Sequence, residues 1–209
     1  MTDPVKQGII ELAKAIWHSD ELRFVDTERT RGLREDILRH LLALAMTDDE
    51  RAAMLGLPDG CRVRESAKII SPDRLQCGEH VWIGENVVLD ASGGLTVGAH
   101  TTFAVGALVW THSSAFANLM LDNRSGNPWI VRKPTKIGYG CYIGGPSSIY
   151  PGVNLGNSVV VLPMSVVTED VPDNVMVGGS PAKVIRTIDA DWMAQYREQN
   201  GLNQTGLPS

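Results

Sequence analysis

An apolar residue recurs at every sixth position through most of this chain. It opens units at Cys77, Ile83 and Leu89, slips by two, resumes at Val97, Phe103 and Val109, and returns after a gap at Ile137, Ile143, Ile149, Leu155, Val161 and Val167. Glycine follows in six of these twelve units: Gly78, Gly84, Gly98, Gly138, Gly144 and Gly156. The fifth position favours small or β-branched residues such as Val81, Thr101, Cys141 and Val159. A helix face repeats at three or four, and a hairpin array needs a reversing turn every 8–12 residues or so. A period of six fits neither. It fits a parallel coil in which each unit supplies one short strand and one corner, with the apolar residue pointing into a narrow triangular interior. Glycine after it is expected to supply backbone angles closed to residues with a β-carbon. The expected fold is therefore mainly β, a left-handed parallel β-helix, which breaks the right-handed rule for parallel crossovers.

The flanks read differently. Residues 1–60 carry helical spacing, at Ile9, Ile10, Leu12, Ala13, Ile16 and Trp17 and again at Leu33, Ile37, Leu38, Leu41, Leu42 and Leu44. Thr47 before Asp48, Asp49 and Glu50 predicts an N-cap and a short third helix, and Pro58-Asp59-Gly60 a closing turn. The expected organisation is a helical N-terminal region over 1–60 and a β-helix over 61–188. A C-terminal helix near 189–199 and a loose tail occupy 189–209. The register breaks over 113–136, predicting an extended loop with turn residues (Asp122, Asn123, Ser125, Gly126, Asn127, Pro128) and two aromatics, Phe116 and Trp129. Long loops inside compact repeats usually carry function.

A net charge of -5 without a basic stripe argues against a nucleic-acid partner. The apolar runs are strand-sized, which predicts no membrane span. Cys61, Cys77 and Cys141 lack metal-ligand or disulfide spacing, which with the absence of a leader pattern points to the cytoplasm.

Three segments resemble the hexapeptide-repeat acyltransferases, nearest to the galactoside and maltose type and to polysaccharide O-acetyltransferases. They are Val109-Trp110-Thr111-His112 before the loop, the run from Ile137 through Tyr142-Ile143-Gly144-Gly145, and the closing run Val177-Gly-Gly-Ser-Pro-Ala-Lys183-Val-Ile-Arg186. The resemblance covers roughly Leu75 to Ile188. It implies an acetyl-CoA-dependent O-acetyltransferase acting on a sugar or polysaccharide hydroxyl, working as a homotrimer with sites between subunits and without a metal.

The resemblance assigns His112 as general base, a role suited to the imidazole side chain. It implies Asn86, Asp90 and Trp129 as acceptor-binding residues. Tyr142, Gly144, Gly145, Ser165, Lys183 and Arg186 are implied for the cofactor, with the glycines letting its arm pass close to the backbone. Leu162-Pro163-Met164 departs from the family's Gly-Ala-Gly there. Cys141 is a weaker candidate nucleophile. Two rival chemistries stay open: N-acetylation of an amino sugar or nucleotide sugar, and a metal hydratase of the γ-carbonic-anhydrase type. The hydratase would need a third ligand beside His80 and His100, which fall one coil apart on one face.

Overall fold

The computed structural model describes residues 4–17, 27–122, 124 and 126–202. Asn123, Ser125 and the tail over 203–209 lie outside the described residues.

The chain opens with α1 (Pro4–Trp17), α2 (Glu28–Ala43) and α3 (Asp48–Met54). Thr27 and Thr47 each close a capping box, with Thr30 and Glu50 returning to the cap backbone. From α3 a buried apolar residue, Ala52, enters the core, where Leu55 and Leu57 pack beside it. Leu33, Ile37 and Leu41 remain exposed, so the helical spacing of α2 marks a surface ridge and not a core seam.

The repeats then wind into a parallel β-helix. Its first coil is β1 (Arg62–Val63), β2 (Lys68–Ile70) and β3 (Leu75–Cys77), and its second β4 (Trp82–Ile83), β5 (Val88–Asp90) and β6 (Leu95–Val97). The third has β7 (Thr102–Phe103) and β8 (Leu108–Val109), then leaves the prism. This excursion holds β9 (His112–Ser113), α4 (Ala115–Leu119) and β10 (Val131–Arg132), and the coil closes with β11 (Thr135–Ile137). β12 (Tyr142–Ile143), β13 (Ser148–Ile149) and β14 (Asn154–Leu155) form the fourth, followed by β15 (Val160–Val161) and β16 (Val166–Val167). An antiparallel pair, β17 (Val175–Gly179) and β18 (Ala182–Thr187), ends the stack before α5 (Ala190–Gln199), which Asp189 caps.

Like strands stack into three parallel faces. The first is β1-β4-β7-β12-β15-β17, the second β2-β5-β8-β13-β16 and the third β3-β6-β11-β14. The apolar column inside is dry: Ile83, Leu89, Phe103, Val109, Ile137, Ile143, Ile149 and Val161 are fully buried. Each such side chain contributes about 1.5–3 kcal/mol of burial.

The expected reason for the glycines is corrected. Positive φ falls two residues further on, at His80, Asn86, His100, Gly106, Gly140 and Ser158, and not at Gly78, Gly84, Gly98, Gly138, Gly144 or Gly156. The second-position glycines are required by close approach instead. A β-carbon on Gly98 would stand 2.4 Å from the backbone nitrogen of Tyr139 in the next coil.

Candidate active site

The corner between the second and third faces takes two extra residues in the first two coils. In the second coil Ala91-Ser92-Gly93-Gly94 turns it, and this is where the sequence register slips by two. In the third coil the excursion leaves from the same corner. Its first strand β9 pairs antiparallel with β10, setting His112 opposite Arg132 and Ser113 opposite Val131. The extended excursion thus holds a short antiparallel ribbon and a one-turn helix. Thr135 Oγ1 ties its return by donating to the Trp110 carbonyl at 2.8 Å.

Asp90 ends β5 beneath this ribbon and is fully buried. Its Oδ2 accepts from the Thr111 amide at 2.8 Å and the Thr111 hydroxyl at 3.0 Å, and its Oδ1 from the Ser92 amide at 3.0 Å. His112 Nδ1 lies 2.7 Å from Oδ2 and 3.1 Å from the Ser92 hydroxyl oxygen. A carboxylate can only accept, so Nδ1 carries the proton and donates it, and Nε2 keeps its lone pair. Among the described residues Nε2 makes no hydrogen bond, and the imidazole is 29% exposed. Trp110 packs edge-on against the ring at 6.4 Å.

Burial alone would push the Asp90 carboxyl up. Hydrogen bonds from the Thr111 amide, Ser92 and His112 outweigh it and hold the group at about 2, against an ordinary 3.8. A depressed native value contributes stability that is present above the unfolded value and lost as pH falls toward the folded one. Denaturation followed from pH 6 to 2 should therefore show a loss of about 2 kcal/mol below about pH 4 from this group. Asp90→Asn should lack that step; an unchanged acid profile in the variant would contradict it.

The expected site residues fall in different parts of the prism. Asp90, expected at the acceptor, is sealed beneath His112 with both oxygens occupied, the geometry of a positioning group. Asn86 sits at the corner between the first and second faces, exposed and left-handed at φ 57. No hydrogen bond joins it to His112 among the described residues. Gly144 and Gly145 turn the same corner two coils on, but the chain passing close to them is the protein's own. A β-carbon would meet Val161 oxygen at 2.7 Å from Gly144, and would clash with Val105 oxygen from Gly145. The Ser165 hydroxyl is spent inside that corner, donating to Leu162 oxygen at 2.6 Å and accepting from the Gly179 amide at 3.2 Å. Its backbone is committed as well, the amide donating to the Ser147 hydroxyl at 3.3 Å and the carbonyl accepting from the Ser148 amide at 2.8 Å.

Tyr142 is exposed on the first face, and Lys183 and Arg186 line β18 at the edge of the same sheet. Lys183 pairs with Glu169 at 3.3 Å, and Arg186 lies over Trp192 at 5.9 Å. Trp129 is partly exposed in the excursion, edge-on to Phe116 at 5.7 Å. Cys141 is buried, and burial pushes its thiol up, so it is a poor nucleophile. His80 and His100 stack at 4.9 Å on a different corner from His112. Among the described residues no three His, Cys, Asp or Glu side chains converge on one point.

The residues missed in the sequence are Ser92 and Thr111, which fix Asp90 and His112 together. The two-residue slip marked the first, and adjacency to His112 the second.

Known proteins carry the same framework. A hexapeptide-repeat acetyltransferase of Vibrio cholerae, VCA0836, superimposes with TM-score 0.64 at 28% identity, over 78% of this chain and 94% of that one. Its structure complexed with acetyl coenzyme A gives TM-score 0.60 at 29% identity, over 78% and 91%. CapG of Staphylococcus aureus is 35% identical over 140 residues, 63% of this chain and 68% of that protein. The chain belongs to the hexapeptide-repeat acetyltransferases. The putative colanic acid biosynthesis acetyltransferase WcaF of Escherichia coli K12 is 34% identical over 124 residues, 59% of this chain. The match spans 64% of the length of that relative. A galactoside acetyltransferase in complex with coenzyme A shares the architecture, at TM-score 0.63 and 18% identity over 88% of this chain and 93% of that one. No protein-family model matches the chain. No helix among the described residues of this family member is long and apolar enough to cross a membrane.

Proposed function

We propose that this protein transfers an acetyl group from acetyl-CoA to a hydroxyl of a sugar or polysaccharide, with His112 as the general base. The observation that carries the reading is the Asp90–His112 pair at 2.7 Å, with Nδ1 committed and Nε2 without a hydrogen bond among the described residues, on a partly exposed ring. The V. cholerae relative bound to acetyl coenzyme A supports the donor, and the name of WcaF supports a polysaccharide-related acceptor.

Nε2 takes the proton of the acceptor hydroxyl as its oxygen attacks the thioester carbonyl. The imidazolium that forms is held by the Asp90 carboxylate. It returns the proton to the departing sulfur as the carbon–sulfur bond breaks, leaving an acetyl ester and free CoA thiol. Acetyl-CoA supplies an already activated acyl group, so no acyl-enzyme is required. Lys183 and Arg186 suit its phosphates, and Tyr142 its arm along the first face.

These groups and His112 stand on different parts of one prism. A closed ring of three chains would bring the first face of one subunit to the His112 corner of the next. The site is on this reading completed by a second copy. We assign the reaction to the cytoplasm, where three free cysteines remain reduced.

Matched acceptors test the reading. A glucoside should be acetylated in preference to its amino-sugar counterpart, with an ester that hydroxylamine removes. Transfer to the amine alone, giving a hydroxylamine-stable amide, would overturn O-acetylation in favour of N-acetylation.

A further inference from the structure

The chain carries a net charge of -5, yet the surroundings of His112 are cationic. Arg132 is exposed and stands directly opposite His112 in the β9–β10 ribbon. Opposed residues of an antiparallel pair project from the same face, with β-carbons about 4.5–5.5 Å apart. The guanidinium therefore shares the side of the ribbon that offers the imidazole. Among the described residues it forms no ion pair or hydrogen bond, unlike Arg51, Arg64 and Arg124. A second guanidinium, from Arg74, donates at 2.9 Å to the carbonyl of Ser92, the residue whose hydroxyl meets His112.

The acidic groups nearby are already committed. Asp90 is buried under four hydrogen bonds. Asp122 is bound to Arg124 at 2.9 Å. Asp73 lies 3.9 Å from Arg74 and is mostly solvated. A planar, permanently charged fork with no partner, beside a catalytic base, is suited to two oxygens of a substrate anion.

We infer that Arg132, supported by Arg74, reads a negatively charged group on the acceptor close to the hydroxyl that His112 deprotonates. The substrate class is then an anionic glycan, bearing a carboxylate or a phosphate, and not a neutral sugar. This rests on the functional reading above and narrows it.

Two matched acceptor pairs test it: a uronic-acid oligosaccharide with its carboxyl-reduced form, and a sugar phosphate with its dephosphorylated form. The expected result is a preference for the charged member of one pair, on the order of tenfold or more in kcat/KM. The preferred pair identifies the anion. Arg132→Gln should erase that preference and raise the acceptor KM by about tenfold to a hundredfold, with the KM for acetyl-CoA little changed. Arg132→Lys should recover part of it, and Arg74→Gln should weaken it separately. Equal rates on both members of both pairs would overturn the inference while leaving acetyl transfer intact. So would an Arg132→Gln enzyme that keeps the preference but loses affinity for acetyl-CoA, because the guanidinium would then serve the cofactor phosphates. No transfer to any acceptor would overturn the acetyltransferase reading and this one with it.

Discussion

Replacing His112 with alanine is expected to lower kcat by about 10²–10⁴-fold, the range for losing a positioned general base. The fold should survive. The imidazole is 29% exposed, and Asp90 keeps its bonds from the Thr111 amide, the Thr111 hydroxyl and the Ser92 amide. The KM for acetyl-CoA should move little, because Tyr142, Lys183 and Arg186 stand on another face. Steady-state rates beside a melting curve check both halves. A variant that melts with the wild type and turns over at the wild-type rate would remove His112 from the chemistry.

The largest expected loss of stability comes from Arg51, far from the site. Its side chain is buried where the helical region meets the prism, at 6% exposure. Nε donates to the Val63 carbonyl at 2.6 Å in β1. Nη1 donates to the Ala43 carbonyl at 2.8 Å and to that of Met46, at and just beyond the end of α2. The last carbonyls of a helix lack partners of their own, and a cation there also meets the negative end of its dipole. Glu65 lies 3.4 Å away and balances the charge. Arg51→Met would keep much of the volume and take the donor from the Val63 and Met46 carbonyls, while the Ala43 carbonyl keeps the Met46 amide at 3.3 Å. Each buried group left unmade costs about 1–3 kcal/mol, which makes about 2–6 kcal/mol for the two. Arg51→Lys should recover only part, since one ammonium cannot span carbonyls that the fork reaches at once. Chemical denaturation measures the effect, and a change under about 1 kcal/mol in Arg51→Met would refute this role.

The sixfold pattern makes the solenoid legible because it records an inward-facing column, and burial leaves a strict mark on residue type. Thr47 is legible for a related reason, since a cap is a local bond between near neighbours. What sits side by side across coils is harder to read. Gly98 and Gly145 look like hinges or ligand contacts in one dimension, whereas each is small because a neighbouring coil crosses it. Asn86 and Asp90 are four apart in sequence yet turn different corners of the prism. Only the corner tells which can reach His112. The slip between Leu89 and Val97 was the one sequence sign of the longer corner. Its meaning depended on the excursion leaving one coil higher at the same place. Arg132 was out of reach for the same reason, because its pairing with His112 is set across a ribbon whose ends are eighteen or so residues apart.

Acceptor-dependent release of CoA thiol, followed in wild type and His112→Ala side by side, tests the central claim most directly. The expected result is thiol released in step with acetyl ester formed on the glycan, and a rate in His112→Ala lower by at least about a hundredfold. Thiol release at equal rates in both proteins, or release in wild type that no added acceptor increases, would contradict it.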